Sequence, residues 1–150
     1  MKVPFGSEIL DAACRLLTPF ILLFAIYVIA HGHDSPGGGF QGGTIMAAAM
    51  ILIRLVRGRA APWGLHRVSA VRLACIGVAI YAGIGFLSLF FGGNYLDYGA
   101  LPLPLTSAKA HAMGSFAIEV GVAMGVTGVL TLIFDVLAAW EDEDEEGKRD

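Results

Sequence analysis

Gly32-His33-Asp34-Ser35-Pro36-Gly37-Gly38-Gly39-Phe40-Gln41-Gly42-Gly43 is a side-chain-poor stretch set between two long apolar runs. Upstream lies a run from about Cys14 to Ala30 that contains Leu16, Leu17, Phe20, Ile21, Leu22, Leu23, Phe24 and Ile26. Downstream a second runs from about Phe40 to Val56, a third from Val71 to Phe91, and a fourth from about Ala112 to Ala139. Roughly 20 apolar residues cross a hydrocarbon core of about 30 Å, and all the runs except the second approach or exceed that length. The spacing therefore predicts an all-α integral membrane protein with four transmembrane helices. Pro19 is expected in the first turns of its helix, where a missing N–H is tolerated.

Composition agrees. Of 150 residues, 56% are hydrophobic and 15% charged, and the mean hydropathy is +0.70. A soluble domain of this size carries about a quarter charged residues. Residues 1–140 are expected to form the membrane domain and 141–150 an acidic, unstructured cytoplasmic tail, because Glu141-Asp142-Glu143-Asp144-Glu145-Glu146 is a block of like charge. Cys14 and Cys75 make neither a disulfide framework nor a metal pattern and are expected to be small buried hydrophobes.

Basic residues set the expected orientation. The connection between spans two and three holds Arg54, Arg57, Arg59, Arg67 and Arg72 and no acid. The connection at 31–39 has no Lys or Arg, and the one at 92–111 has only Lys109. The positive-inside rule puts the arginine connection and both termini in the cytoplasm, in agreement with Lys2, Arg15, Lys148 and Arg149. Trp63 and Trp140 then fall at the inner boundary, and Tyr27, Tyr95 and Tyr98 at the outer one. Topology explains the arginines, so nucleic-acid binding is not expected.

The glycine stretch contains Gly37-x-Gly39-x-x-Gly42, which fits a dinucleotide fingerprint by spacing alone. That reading fails: no strand precedes it, and Pro62 stands where an acid is needed. The physical argument is different. From Phe40 to Ile53 there are too few residues to cross the bilayer at about 1.5 Å each, so the helix is short or the glycines lie within the membrane boundary. Backbone there cannot face lipid with its N–H and C=O groups unpaired. The stretch is therefore expected to be a hairpin loop that packs into a partner or lines an ion path.

The same residues carry a resemblance. The run 32–43 resembles the G-H-N-x-P-G-G-G-F-x-G-G motif of the B-type subunits of Mrp-type (also called Mnh) multi-subunit Na⁺/H⁺ antiporters, with Asp34 in the place of the common asparagine. Phe116-Ala117-Ile118-Glu119-Val120-Gly121-Val122, followed by Gly128, is similar to the family's F-D-[IL]-G-V run, with Glu119 in the place of aspartate. The connection from Gly92 to His111 is short for the family. The resemblance covers nearly the whole chain. It implies an accessory subunit in the cell membrane that helps to form subunit interfaces and an ion passage for Na⁺ and H⁺. It also implies large partners of A and D type and small ones of C, E, F and G type. Related B-type subunits occur in hydrogenase-like, redox-driven complexes, which is the alternative setting. No nucleophile–base pair, metal-ligand cluster or phosphate loop points to an enzyme or a cofactor.

Two acids, Glu119 and Asp135, lie in the fourth run, where charge is costly and faces a bundle interior, a cavity or a partner. His111, Ser115 and Glu119 recur at i, i+4 and i+8 and so form one polar stripe. Gly114, Gly121, Gly125 and Gly128 fall on a nearly opposite face suited to close helix packing. Glu119 has two open readings: transfer of a proton or sodium ion or pairing with a partner's positive group, or a buried acid satisfied by one hydrogen bond. The ion-path candidates are Glu119, His111, Ser115, Asp135 and His33, with His31 beside them at the outer mouth. Asp135 and Arg54 are expected to reach headgroup water at the inner interface.

Overall fold

A computed structural model describes residues 8–32, 37–57, 65–100 and 106–146. It contains helices α1 (Glu8–Ala30), α2 (Gly38–Arg57), α3 (Arg67–Phe90) and α4 (Ser107–Glu146), with a 3₁₀ turn at Tyr98–Ala100. All four helices are long and apolar enough to cross a membrane, over 8–30, 38–57, 67–90 and 107–138. The chain is a multi-pass, all-helical membrane protein.

The helices pack in the order α1–α2–α4–α3, so α2 and α4 hold the middle. Partners on α2 and α4 advance together (Gly39 with Glu119, Gly43 with Ala123, Arg54 with Asp135), so these two helices run parallel. Each flanking helix is antiparallel to its neighbour. Asp11 of α1 meets Arg57 of α2 while Ala25 meets Gly42, and Ala70 of α3 meets Gly128 of α4 while Gly77 meets Gly121.

The interior is built from small residues. Ala25, Ala47, Ala49, Ala70, Ala110 and Ala123 are buried, whereas Phe20, Leu23, Phe24, Phe86, Phe90 and Leu137 are exposed. Apolar bulk outside and small residues inside is what lipid solvent selects, since helices there associate by close backbone approach. At the arginine end, Cys14, Ile53 and Val56 form a small cluster with Leu52.

Four expectations are corrected here. The glycine stretch is not all loop: Gly38, Gly39, Phe40, Gly42 and Gly43 form the first turns of α2. Pro19 lies in the middle of α1, because that helix starts at Glu8. Its missing N–H leaves the Arg15 carbonyl without its helical partner. The acidic run continues α4 as far as Glu146, since no breaker intervenes before Gly147. Cys75 is exposed, unlike Cys14. The residues His33, Asp34, Pro36, Arg59 and Trp63 lie outside the described residues.

Candidate functional site

The site forms where three glycines of the 32–43 stretch meet the fourth helix. α2 presents two interleaved small-residue pairs. Gly38 and Gly42 face α1: a methyl group at Gly38 would lie 3.1 Å from the Val28 carbonyl oxygen, and one at Gly42 would lie 2.8 Å from that of Ala25. Gly39 and Gly43 face α4: a methyl group at Gly43 would lie 2.7 Å from the Ala123 carbonyl oxygen, and one at Gly39 would lie 2.5 Å from the Glu119 carboxylate. The Gly-x-x-x-Gly spacing thus occurs twice, one residue out of step, and clamps α2 from both sides. The expectation was that the stretch packs into a partner or lines an ion path; for these four glycines the cover comes from within the chain. The chain's own α1 and α4 cover Gly38, Gly39, Gly42 and Gly43, all of which are buried.

Glu119 sits against the start of α2. Its Oε2 accepts a hydrogen bond from the Gly39 backbone N–H, one of the amides that an α-helix leaves unpaired at its first turn. The positive end of the α2 dipole points at the same carboxylate. Gly32 closes the pocket from the end of α1: a methyl group there would lie 3.5 Å from the Glu119 carboxyl carbon. A carboxylate between bare backbones is thereby held inside the bundle by a main-chain donor. Among the described residues it has no cationic partner. Such a group can exchange a proton or ligate a monovalent cation.

Asp135 has different surroundings from Glu119. It forms an ion pair with Arg54 of α2, and the two side chains are only 8% and 10% exposed. Arg54 also donates to the Leu65 carbonyl oxygen at 2.6 Å, which ties down the start of the α3 segment. Neither residue reaches for headgroup water, because each finds its partner across the α2–α4 seam.

Between the two acids the seam is polar in a way the sequence reading missed. The Thr127 hydroxyl donates to the Gly43 carbonyl oxygen at 3.0 Å and to that of Ala123 at 2.7 Å, and Thr131 donates to the Thr127 carbonyl oxygen at 2.8 Å. Both threonines are fully buried. Glu119, Ala123, Thr127, Thr131 and Asp135 recur at every fourth position, a signal present in the sequence.

No other described candidate bonds to the Glu119 carboxylate. His111 is exposed; its Nδ1 lies 2.9 Å from the Ser107 carbonyl oxygen and its ring is edge-on to Tyr98 at 5.9 Å. Ser115 is half-buried between His111 and Glu119. His31 is exposed, its ring tilted against that of Tyr27 with centroids 4.2 Å apart. Tyr98 lies over Gly114, where a methyl group would meet its ring. Burial pushes the Tyr98 phenol above the ordinary tyrosine value, and the nearby Tyr81 and Tyr95 add to the shift. Gly121 and Gly128 face α3. Gly125 does so through its backbone, against which Gly77 of α3 packs. Gly77 was not foreseen, although Ala70, Ala74 and Gly77 recur at helical spacing.

The family model described as a domain related to the MnhB subunit of Na⁺/H⁺ antiporter matches residues 9–132. The chain is 32% identical over 128 residues to the B-type Na⁺/H⁺ antiporter subunit of Bacillus subtilis, covering 79% of this chain and 88% of that protein. It is 31% identical over 143 residues to the B-type Na⁺/H⁺ antiporter subunit of Alkalihalophilus pseudofirmus, covering 87% of this chain and 94% of that one. A probable A/B-type K⁺/H⁺ antiporter subunit of Rhizobium meliloti is 30% identical over 118 residues, which span 73% of this chain and 12% of the relative. No solved structure matches the chain.

Proposed function

The chain belongs to the family of domains related to the MnhB subunit of Na⁺/H⁺ antiporters, and from that membership we propose that it is an accessory membrane subunit of a multi-subunit monovalent cation/proton antiporter, in which Glu119 engages the transported proton or cation. It is a transporter component and not an enzyme. One observation supports the role of Glu119: an acid at membrane depth bonded to the Gly39 amide and, among the described residues, to no cation. Asp135 is neutralised by Arg54 and serves the fold.

The partners under this reading are large subunits of A and D type and small ones of C, E, F and G type, with both termini of this chain in the cytoplasm. The Rhizobium meliloti relative, whose name joins the A and B types, supports an A-type neighbour. The relatives' antiporter names favour this setting over a redox-driven complex.

Affinity purification from the membrane followed by mass spectrometry tests the assembly. Co-purification of A- and D-type subunits is expected, and hydrogenase or iron–sulfur subunits in their place would refute the reading. Glu119→Gln keeps a hydrogen-bond acceptor but cannot carry the charge. In everted vesicles it is expected to impair cation-dependent proton movement while the complex still assembles; unchanged antiport would remove Glu119 from the ion path.

A further inference from the structure

A cleft of about 290 Å³ opens between α1 and α2 at the arginine end, lined by Cys14, Thr18, Pro19, Leu22 and Ile53 together with Arg15 and Arg57. Most of its wall is hydrocarbon, and two guanidinium groups stand beside it. The carboxylate between them is Asp11. Arg57 donates to its two oxygens at 2.6 and 3.2 Å, and the Arg15 Nε donates at 2.8 Å. Two cations thus share one anion. Glu8, a turn earlier, is exposed and joins no ion pair among the described residues. Arg15 commits only Nε, and its side chain is 68% exposed, so its two terminal nitrogens remain open to a ligand.

We propose that this cleft binds an anionic phospholipid, with the headgroup phosphate on Arg15 and Arg57 and an acyl chain along Pro19, Leu22 and Ile53. The surplus positive charge selects the headgroup, since basic pockets between transmembrane helices hold phosphate-rich lipids. Guanidinium suits phosphate in particular because its donors match the oxygen geometry in pairs. The arginines also mark the membrane boundary, where a headgroup belongs. α1 is an outer helix of the row, which leaves the cleft open towards lipid. The apolar wall continues from the arginines into the bilayer, so a free phosphate ion would leave most of the cleft unfilled.

The test uses the purified antiporter complex in nanodiscs of mixed phosphatidylglycerol and phosphatidylcholine, with native mass spectrometry reading the lipid retained by this subunit. Wild type is expected to retain phosphatidylglycerol preferentially. Removing one cation in Arg15→Gln is expected to lower that retention about fivefold, while Arg15→Lys keeps most of it. Leu22→Trp fills the cleft and is expected to lower retention without changing charge. Subunit stoichiometry in the same spectra reports assembly, and if Arg15→Gln fails to assemble, the lipid preference of wild type and the Leu22→Trp result decide. Equal retention of the two lipids, unchanged retention in Arg15→Gln or in Leu22→Trp, or no lipid on wild type because a partner chain covers the cleft would each overturn the proposal. Loss of the preference in excess inorganic phosphate, with no effect of Leu22→Trp, would reveal a free-anion site and overturn it as well.

Discussion

Arg54 of α2 and Asp135 of α4, 81 residues apart, form a buried ion pair at one end of the central seam. Their side chains are 10% and 8% exposed, so solvent screens the pair little. At the other end of the same seam Glu119 meets the Gly39 amide. The two central helices are thus fastened at both ends by acids of α4, one neutralised by a side chain and the other held by main chain.

Breaking the Arg54–Asp135 pair from one side leaves an uncompensated buried charge, which costs about 3–5 kcal/mol. Asp135→Ala is therefore expected to lower the thermal midpoint of the detergent-purified complex steeply. Arg54→Met combined with Asp135→Leu should recover most of that loss, because no unpaired charge remains. A double variant no better than the single one would show that the pair does more than neutralise itself.

Glycine is required at position 39 by space. Gly39→Ala places a methyl group against the Glu119 carbonyl oxygen and carboxylate and should separate α2 from α4. Gly83→Ala is the control, since a methyl group there meets nothing within 4 Å. Subunit yield in the purified complex is the readout. Equal yields for the two variants would disprove the close approach.

The α3–α4 seam makes a similar demand. At Gly77 a methyl group would lie 2.5 Å from the Gly121 carbonyl oxygen and closer still to the Gly125 backbone. Overpacking of this kind costs about 1–3 kcal/mol, and more when backbone cannot move aside. Gly77→Val should lower thermal stability at least that much, whereas Val78→Leu on the exposed side should not. The comparison is by differential scanning fluorimetry.

Alkaline pH probes the 3₁₀ turn. The Tyr98 phenol is raised above its ordinary value of 10.0 in the folded chain, chiefly by burial. The neutral phenol's contribution is full below that ordinary value. It is lost as pH climbs from there towards the raised value, because the unfolded chain releases its proton first. Tyr98→Phe should flatten the fall in thermal midpoint above pH 10 or so. A wild-type slope that Tyr98→Phe does not alter would place the titrating group elsewhere.

Gly37 and the helix start explain why the glycine stretch was only partly legible. Its composition marked a place where backbone approaches backbone, and its position placed that contact at membrane depth. Composition did not say whose backbone approaches. Gly37, with φ of +94°, ends the turn, and α2 begins at the next residue. Gly38 and Gly42 then fall on one side of the helix and Gly39 and Gly43 on the other, and the repeat was readable only once that start was fixed. Asp135 was misplaced for a related reason: its distance from the helix end suggested water, but Arg54 lies on a different helix.

By itself the sequence determined the four apolar spans and the family, because hydropathy over a span is set locally by the thickness of lipid and the cost of unpaired backbone. Only the tertiary structure decided the order α1–α2–α4–α3, the cover of the glycine backbone by α1 and α4, and the separate fates of Glu119 and Asp135. Those depend on contacts between residues some 80 positions apart. In lipid such contacts follow from shape and polar pairing between small-residue faces, and one helix's periodicity does not name its partner.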